Sequence, residues 1–300
     1  MRSFLSARFR QFLLVVALAV SGPTSAALLY TIGPDAASVP RNLATVDPGG
    51  ATPRFDLGDG SLGFNGGLAY DTANNRFYAI ANDSLGNSSL VSFTLGGAGS
   101  VTTLASLGTG FIGGLAYNSA DGYLYGISTD FMGNSSLYKI SADGSTVTSL
   151  GVLGVGYQGG LTYNADDGKL YAISADMFGV QSQLDAIDIT GAPSVSTVAL
   201  GDGSVSFNGG IAYDPGADLF YAISNDSSAA STLDSFTFAS ASAPTAIAAL
   251  GFGYLNASLA FGPDFNGGGG SVPEPSSFAL LLAAMLSWTL LDRARRRRPA

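Results

Sequence analysis

Five aspartates recur at one offset. Asp35, Asp83, Asp130, Asp176 and Asp226 each stand five residues after a tyrosine in an otherwise apolar phrase, the tyrosines being Tyr30, Tyr78, Tyr125, Tyr171 and Tyr221. Such carboxylates can hold cations, calcium first among them, because hard cations take oxygen ligands. They can equally cap turns, since an aspartate at a strand end accepts hydrogen bonds from the loop N–H groups that follow it. A role repeated in every unit fits the cap, whereas a single active site breaks symmetry. One shared ion is disfavoured by distance: direct calcium bonds are about 2.3–2.6 Å long, while neighbouring strands lie about 4.8 Å apart. Calcium held unit by unit is the one cofactor the pattern leaves open. A second set of residues precedes another repeated phrase: Phe64-Asn65, Phe111-Ile112, Tyr157-Gln158, Phe207-Asn208 and Leu255-Asn256. The amides Asn65, Gln158, Asn208 and Asn256, with their aromatic neighbours, are expected as an inner ring within the aspartates. That arrangement would suit a cation or a sugar.

Other chemistries are excluded by composition. The 300-residue chain has no histidine and no cysteine, and its single glutamate is Glu274. The commonest general base, the commonest metal ligand, thiolate chemistry and disulfides are therefore absent. There is no phosphate-binding glycine loop, Ser/His/Asp set or EF-hand loop, so no catalytic and no metal-ligating residue is assigned. Between Ala27 and Pro275 five bases face 21 acids, a net charge of −16. A surface that acidic repels phosphate backbones, which argues against nucleic acid as a partner. Lys139 and Lys169 read as solvated, and the Asn87-Ser88-Ser89 and Asn134-Ser135-Ser136 triplets as polar loops.

The elements that would position these residues form a repeat. Gly66-Gly67-Leu68-Ala69-Tyr70-Asp71 recurs, little changed, from Gly113, Gly159 and Gly209, at steps of 47, 46 and 50 residues. Phe77-Tyr78-Ala79-Ile80 and its three counterparts follow. A period of this length marks an array of supersecondary units. Each unit reads as four short strands, in the first unit at 67–71, 76–82, 89–94 and 101–107, with Asp121-Gly122 and Asp167-Gly168 as turns in later units. Helical periodicity is absent between the chain ends. Leu29-Tyr30-Thr31-Ile32 has the second-strand phrase without a first, and Ala257-Ser258-Leu259-Ala260-Phe261 has the first without a second. The halves complete one unit. The expected fold is all-β: a five-bladed β-propeller of four-stranded antiparallel blades, closed by N- and C-terminal strands sharing one blade, because closure removes exposed strand edges. An open β array and a pair of β-sandwiches are the alternatives.

The two ends read as addresses. Arg2, Arg8 and Arg10 flank an apolar run, 12–20, followed by Gly22-Pro23 and Thr24-Ser25-Ala26. This is the layout of a secretory signal peptide, residues 1–26, cleaved after Ala26. The propeller is expected at 27–265. A glycine-rich linker and Val272-Pro273-Glu274-Pro275 occupy 266–275. A mostly apolar stretch and the basic residues Arg293, Arg295, Arg296, Arg297 and Arg298 fill 276–300. The apolar stretch makes roughly 24 Å of helix, short of a bilayer core of about 30 Å but serviceable with snorkelling arginines. Arginines beyond it stay in the cytoplasm.

In these three successive parts the tail resembles the PEP-CTERM sorting domain of Gram-negative bacteria, over less than a tenth of the chain. The resemblance implies recognition by an exosortase, a membrane enzyme that removes such tails, in a species that makes extracellular polysaccharide. The protein is then expected to pass the inner membrane, to exist transiently as a single-pass form, and to finish at the cell surface or outside. The function expected is a non-catalytic propeller binding polysaccharide or protein. An aspartate-dependent glycosidase or lyase and a purely structural matrix component are the alternatives.

Overall fold

A computed structural model describes residues 28–35, 37–97, 99–175 and 181–263. The expected signal segment (1–26), the linker and Pro-Glu-Pro motif (266–275), the expected helix and basic tail (276–300) and Asp176 lie outside the described residues. Among the described residues no helix is long and apolar enough to cross a membrane.

Twenty strands among the described residues form five four-stranded antiparallel sheets. β1 (Leu28–Pro34), β2 (Pro40–Asp47) and β3 (Gly50–Asp56) belong to blade I. Blade II comprises β4 (Leu68–Asp71), β5 (Arg76–Asn82), β6 (Asn87–Phe93) and β7 (Thr102–Thr109). Blade III is β8 (Phe111–Asn118), β9 (Tyr123–Thr129), β10 (Asn134–Ser141) and β11 (Val147–Val155). Blade IV is β12 (Tyr157–Asn164), β13 (Lys169–Ala175), β14 (Ser182–Asp188) and β15 (Ser194–Ala199). Blade V is β16 (Ile211–Asp214), β17 (Leu219–Asn225), β18 (Ala230–Phe236) and β19 (Thr245–Phe252), and β20 (Leu259–Gly262) returns to complete blade I. The register of that return is antiparallel, with Leu28 opposite Gly262 and Thr31 opposite Leu259. The inner strands touch in a closed cycle, β4 to β8 to β12 to β16 to β20 and back to β4. The fold is a five-bladed β-propeller.

The inner strands are short and glycine-rich because they meet around the axis at backbone distance. A Cβ added at Gly67 would lie 2.3 Å from the Leu115 nitrogen, and one at Gly114 would lie 2.3 Å from the Leu161 nitrogen. Both residues also have positive φ, +127° and +118°, which side chains rarely tolerate. Further out, successive residues of each second strand face opposite seams. Phe77 meets Tyr30 of blade I at 5.1 Å between ring centroids, whereas Tyr78 packs with Leu115 of blade III. Five apolar clusters result among the described residues, one per seam. The core therefore lies between the sheets, and each blade depends on both neighbours.

Loops alternate between two faces. The loop after each second strand and the loop entering the next first strand share the upper face; the loop joining first to second strand opens on the lower one. The lower turns follow the expected chemistry: Gly122 and Gly168 adopt φ of 74° and 72°, and their N–H groups bond Asn118 O and Asn164 O at 2.9 and 3.0 Å.

Two expectations need correction. The Asn87-Ser88-Ser89 and Asn134-Ser135-Ser136 triplets are not loops but open β6 and β10, with Ser88 and Ser135 fully buried. The Ser88 hydroxyl donates to Asn82 Oδ1 at 2.7 Å and accepts the Phe111 N–H at 3.3 Å, so it joins two blades. The fourth strand also runs to Thr109, beyond 107, because the β6–β7 ladder carries two bulges that take up extra residues.

Closure by β20 generates a prediction. Truncation after Tyr254 removes Leu259, buried to 3% exposure, a loss of roughly 1.5–3 kcal/mol for the side chain, and bares the edge of β1. The thermal unfolding transition of the truncated chain, followed by circular dichroism, should lose its cooperativity; an unchanged sharp transition would show that the ring does not need this strand.

Candidate functional site: the upper face

The predicted aspartate ring is built one loop at a time. Asp83 closes β5, and its Oδ1 accepts the N–H groups of Leu85 and Asn87, both at 2.9 Å. The same pair of bonds, to the second and fourth residues onward, recurs at Asp35 (2.8 and 2.9 Å), Asp130 (2.8 and 2.9 Å) and Asp226 (2.8 and 3.0 Å). The tight turn needs a left-handed residue before the next strand, supplied by Ser38, Gly86, Gly133 and Ala229. The second oxygen is also engaged in three loops, by Arg41 at Asp35, Asn87 at Asp83 and Asn134 at Asp130. These bonds hold the carboxyls below their usual pKa. The first cause is Arg41 for Asp35, Asn87 for Asp83, Asn134 for Asp130 and Ser228 for Asp226. Each carboxylate faces its own turn, and among the described residues no three acidic groups converge to hold a metal.

The inner ring differs from expectation. Phe64, Phe111, Tyr157 and Phe207 are buried in the seams at 0–3% exposure, so these four do not form the expected exposed inner circle. In the closing blade Tyr254, not Leu255, fills this slot. Its carbonyl faces Gly209 as that of Phe207 faces Gly159, and Leu255 is exposed. The amides divide. Asn65 and Asn208 are clamped from the second strand: Asn82 Nδ2 donates to Asn65 Oδ1 and Asn225 Nδ2 to Asn208 Oδ1, each at 2.6 Å. Gln158 and Asn256 are exposed, and the Asn256 N–H donates to Asn208 O at 2.9 Å.

Two of these amides, Gln158 and Asn208, line a pocket of about 380 Å³ between blades IV and V, together with Gln181, Ser174, Ser206 and Phe207. This is where the repeat departs from symmetry. Sequence reasoning missed what lies behind it. Asp185 in β14 is buried, accepting Ser174 Oγ at 2.7 Å and Thr197 Oγ1 at 2.5 Å. Asp234 in β18 is buried against Ser224 at 2.6 Å, and burial raises its carboxyl pKa. The signal was available: the matching third-strand positions in blades I to III are Ala44, Val91 and Tyr138. Neither acid lines the pocket. Also missed were the large apolar residues on the loop tips, Leu85 at 83%, Phe131 at 97% and Met132 at 71% exposure. On the opposite face Lys139 is not simply solvated; its Nζ pairs with Asp121 at 2.9 Å and lies 4.1 Å over the Tyr123 ring.

Similar solved structures agree on the fold. A chain of a nidogen/laminin complex matches 75% of this chain and 80% of its own, at TM-score 0.51 and 12% identity. TolB from Acinetobacter baumannii matches at TM-score 0.51 and 11% identity, with this chain spanning 56% of it. A TolB-like protein from Agrobacterium tumefaciens is covered in full at TM-score 0.50 and 12% identity. At such identities the likeness is one of β-propeller architecture. No family model matches the chain, and no curated protein is similar to it in sequence.

The cap geometry makes a clean expectation. Asp83→Asn keeps the accepting oxygen and should leave the melting temperature nearly unchanged, whereas Asp83→Ala should lower it by roughly 2–4 °C. Because the folded pKa is lowered, the stabilisation is complete above the unfolded value of about 3.9 and fades as pH falls through the folded one. Added calcium should not move these melting curves; a calcium-dependent rise that Asp83→Asn abolishes would instead mark a cation site.

Proposed function

We propose that this chain is an exported propeller, released from its membrane tail by an exosortase, that binds extracellular polysaccharide without catalysis through the pocket between blades IV and V. The observation that carries the reading is the upper-face pocket itself, where amides and hydroxyls surround an apolar floor. Leu28 and Gly262, at the outer limit of the closing strands, pair at the lower face. The amide-lined pocket opens on the upper one. Both addresses lie outside the closing strands, and their removal at Ala26 and near the Pro-Glu-Pro motif would leave the ring intact.

The pocket chemistry favours binding over hydrolysis. Glycoside hydrolysis uses two carboxyl groups, about 5–9.5 Å apart, flanking the bond to be cut. Among the described residues the lining of this pocket carries amides, hydroxyls and Phe207 but no carboxylate. Amides and hydroxyls against an apolar floor are the groups that orient a sugar. The lowered pKa of the turn aspartates keeps them ionised and bound to their own loops.

The test joins processing to binding. Protein isolated from the native host should have an intact mass lacking 1–26 and the residues from 276 onward. The same protein should retain a glycan on an array without cleaving it, and Gln158→Ala should lose that binding with an unchanged melting temperature. A mass that retains 276–300 contradicts the sorting reading, and release of shortened glycan contradicts the non-catalytic one.

A further inference from the structure

The lower face has a second opening, on the propeller axis, with a volume of about 190 Å³ and walls formed by all five first strands. Each strand sets one aromatic side chain along it: Tyr70, Tyr117, Tyr163, Tyr213 and Phe261. They occupy equivalent register positions, opposite Phe77, Leu124, Leu170, Phe220 and Leu29 of the second strands. The rest of the wall is largely Leu and Ala side chains, most of them from the same strands.

Three of the four phenols are already engaged. Tyr213 Oη lies 2.8 Å from Asp166 Oδ2 and 2.9 Å from Asp218 Oδ1, its single O–H shared between the two carboxylates. Tyr70 Oη donates to Asn75 Oδ1 at 2.8 Å, and Tyr117 hydrogen-bonds Asp71 of the preceding blade. Apart from the phenols, the polar side chains along the opening are the hydroxyls of Thr72, Ser119 and Thr162. A neutral sugar or an anion would find few free donors here. Around the opening the first-to-second-strand loops carry Asp71, Asp121, Asp166, Asp167, Asp214 and Asp218. No charged residue of either sign lines the opening itself; the rim also carries Arg76 and Lys169 at the starts of β5 and β13, and Lys139 is tied to Asp121, so the six acids outnumber the three bases. The face already supports a cation over an aromatic ring in the Lys139–Tyr123 contact at 4.1 Å.

We propose that this axial opening binds an alkylated ammonium ion, held by the five aromatic residues within a collar of carboxylates. Such a cation is apolar in its surface and needs no hydrogen bonds, and it is attracted both by aromatic rings and by the surrounding negative charge. The site is separate from the upper-face pocket and stands or falls independently of the function proposed for it.

The test is calorimetric titration of the purified full chain with choline and with its uncharged carbon isostere, 3,3-dimethylbutan-1-ol. Choline should bind, and the isostere at least about 10-fold more weakly. Tyr163, which holds no carboxylate, gives the discriminating variants. Tyr163→Leu should weaken choline by about 10-fold or more, while Tyr163→Phe, which keeps the ring, should stay within about 2-fold. Gln158→Ala on the far face should change nothing. Flotation with phosphatidylcholine vesicles identifies the source: capture that free choline competes away assigns a lipid headgroup, and choline binding without capture assigns a free ligand. No heat with choline, equal binding of the isostere, or loss of binding in Tyr163→Phe would overturn the proposal, whatever the folding of Tyr163→Leu.

Discussion

Around the axis of this propeller, backbone meets backbone at distances that no side chain can occupy. Gly67 faces the Leu115 nitrogen, Gly114 faces that of Leu161, and Gly160 faces the Cα of Gly210. That contact sets the radius of the ring. Only with the first strands so close can second strands bring Phe77 and Tyr78 into opposite seams, and only filled seams hold five sheets together. The loops that carry the chemistry are then fixed in place by the seams beneath them. In the closing blade the position is taken by Ser258, and Thr31 replaces the alanine or glycine found elsewhere. Both hydroxyls are buried without a hydrogen-bond partner among the described residues. The blade completed by the two ends of the chain is also the one where the repeat is least ideal.

The same repetition explains why the four described carboxylates are bound by their own turns. A turn that must form in every blade needs its N–H groups satisfied in every blade, and an aspartate at the strand end does this with one oxygen. Features that depart from the repeat are better guides to ligands. The pocket between blades IV and V lies where Gln158, Ala175 and Asp185 replace Asn65, Asn82 and Val91 of blade II. The axial opening is the complementary case, in which symmetry itself assembles a site, because five equivalent aromatics converge on one axis.

Strand count, blade count and ring closure were legible in the sequence because glycine pairs, turn glycines and complementary half-units are local signals with a fixed period. The turn role of Asp83 and its counterparts was legible for the same reason. Direction was not. The sequence pattern puts the entry-loop aromatics on the surface, yet Phe64 and Phe207 turn into seams, since a residue beside a glycine turn can point either way until the neighbouring blade is placed. Tyr254 displaced Leu255 by one residue because the last entry loop is longer, a shift that a phrase-matching count from Gly209 cannot detect. Ser88 reads as loop from its polar neighbours, and only the N–H of Phe111 in the next blade explains its burial. The axial opening required knowing that Tyr70 and Phe261, far apart in sequence, share one axis.

The axial contact is tested most directly by comparing two glycine substitutions. Gly114 and Gly122 both have positive φ, +118° and +74°, so both suffer backbone strain as alanine; but a Cβ at Gly114 meets the Leu161 nitrogen at 2.3 Å, whereas one at Gly122 meets nothing within 4 Å. Thermal unfolding of the two variants separates strain from crowding. Gly122→Ala should lower the melting temperature by a few degrees, on the scale of roughly 1 kcal/mol, while Gly114→Ala should prevent cooperative folding. Equal, small losses in the two variants would contradict the dependence of the ring on its axial backbone contacts.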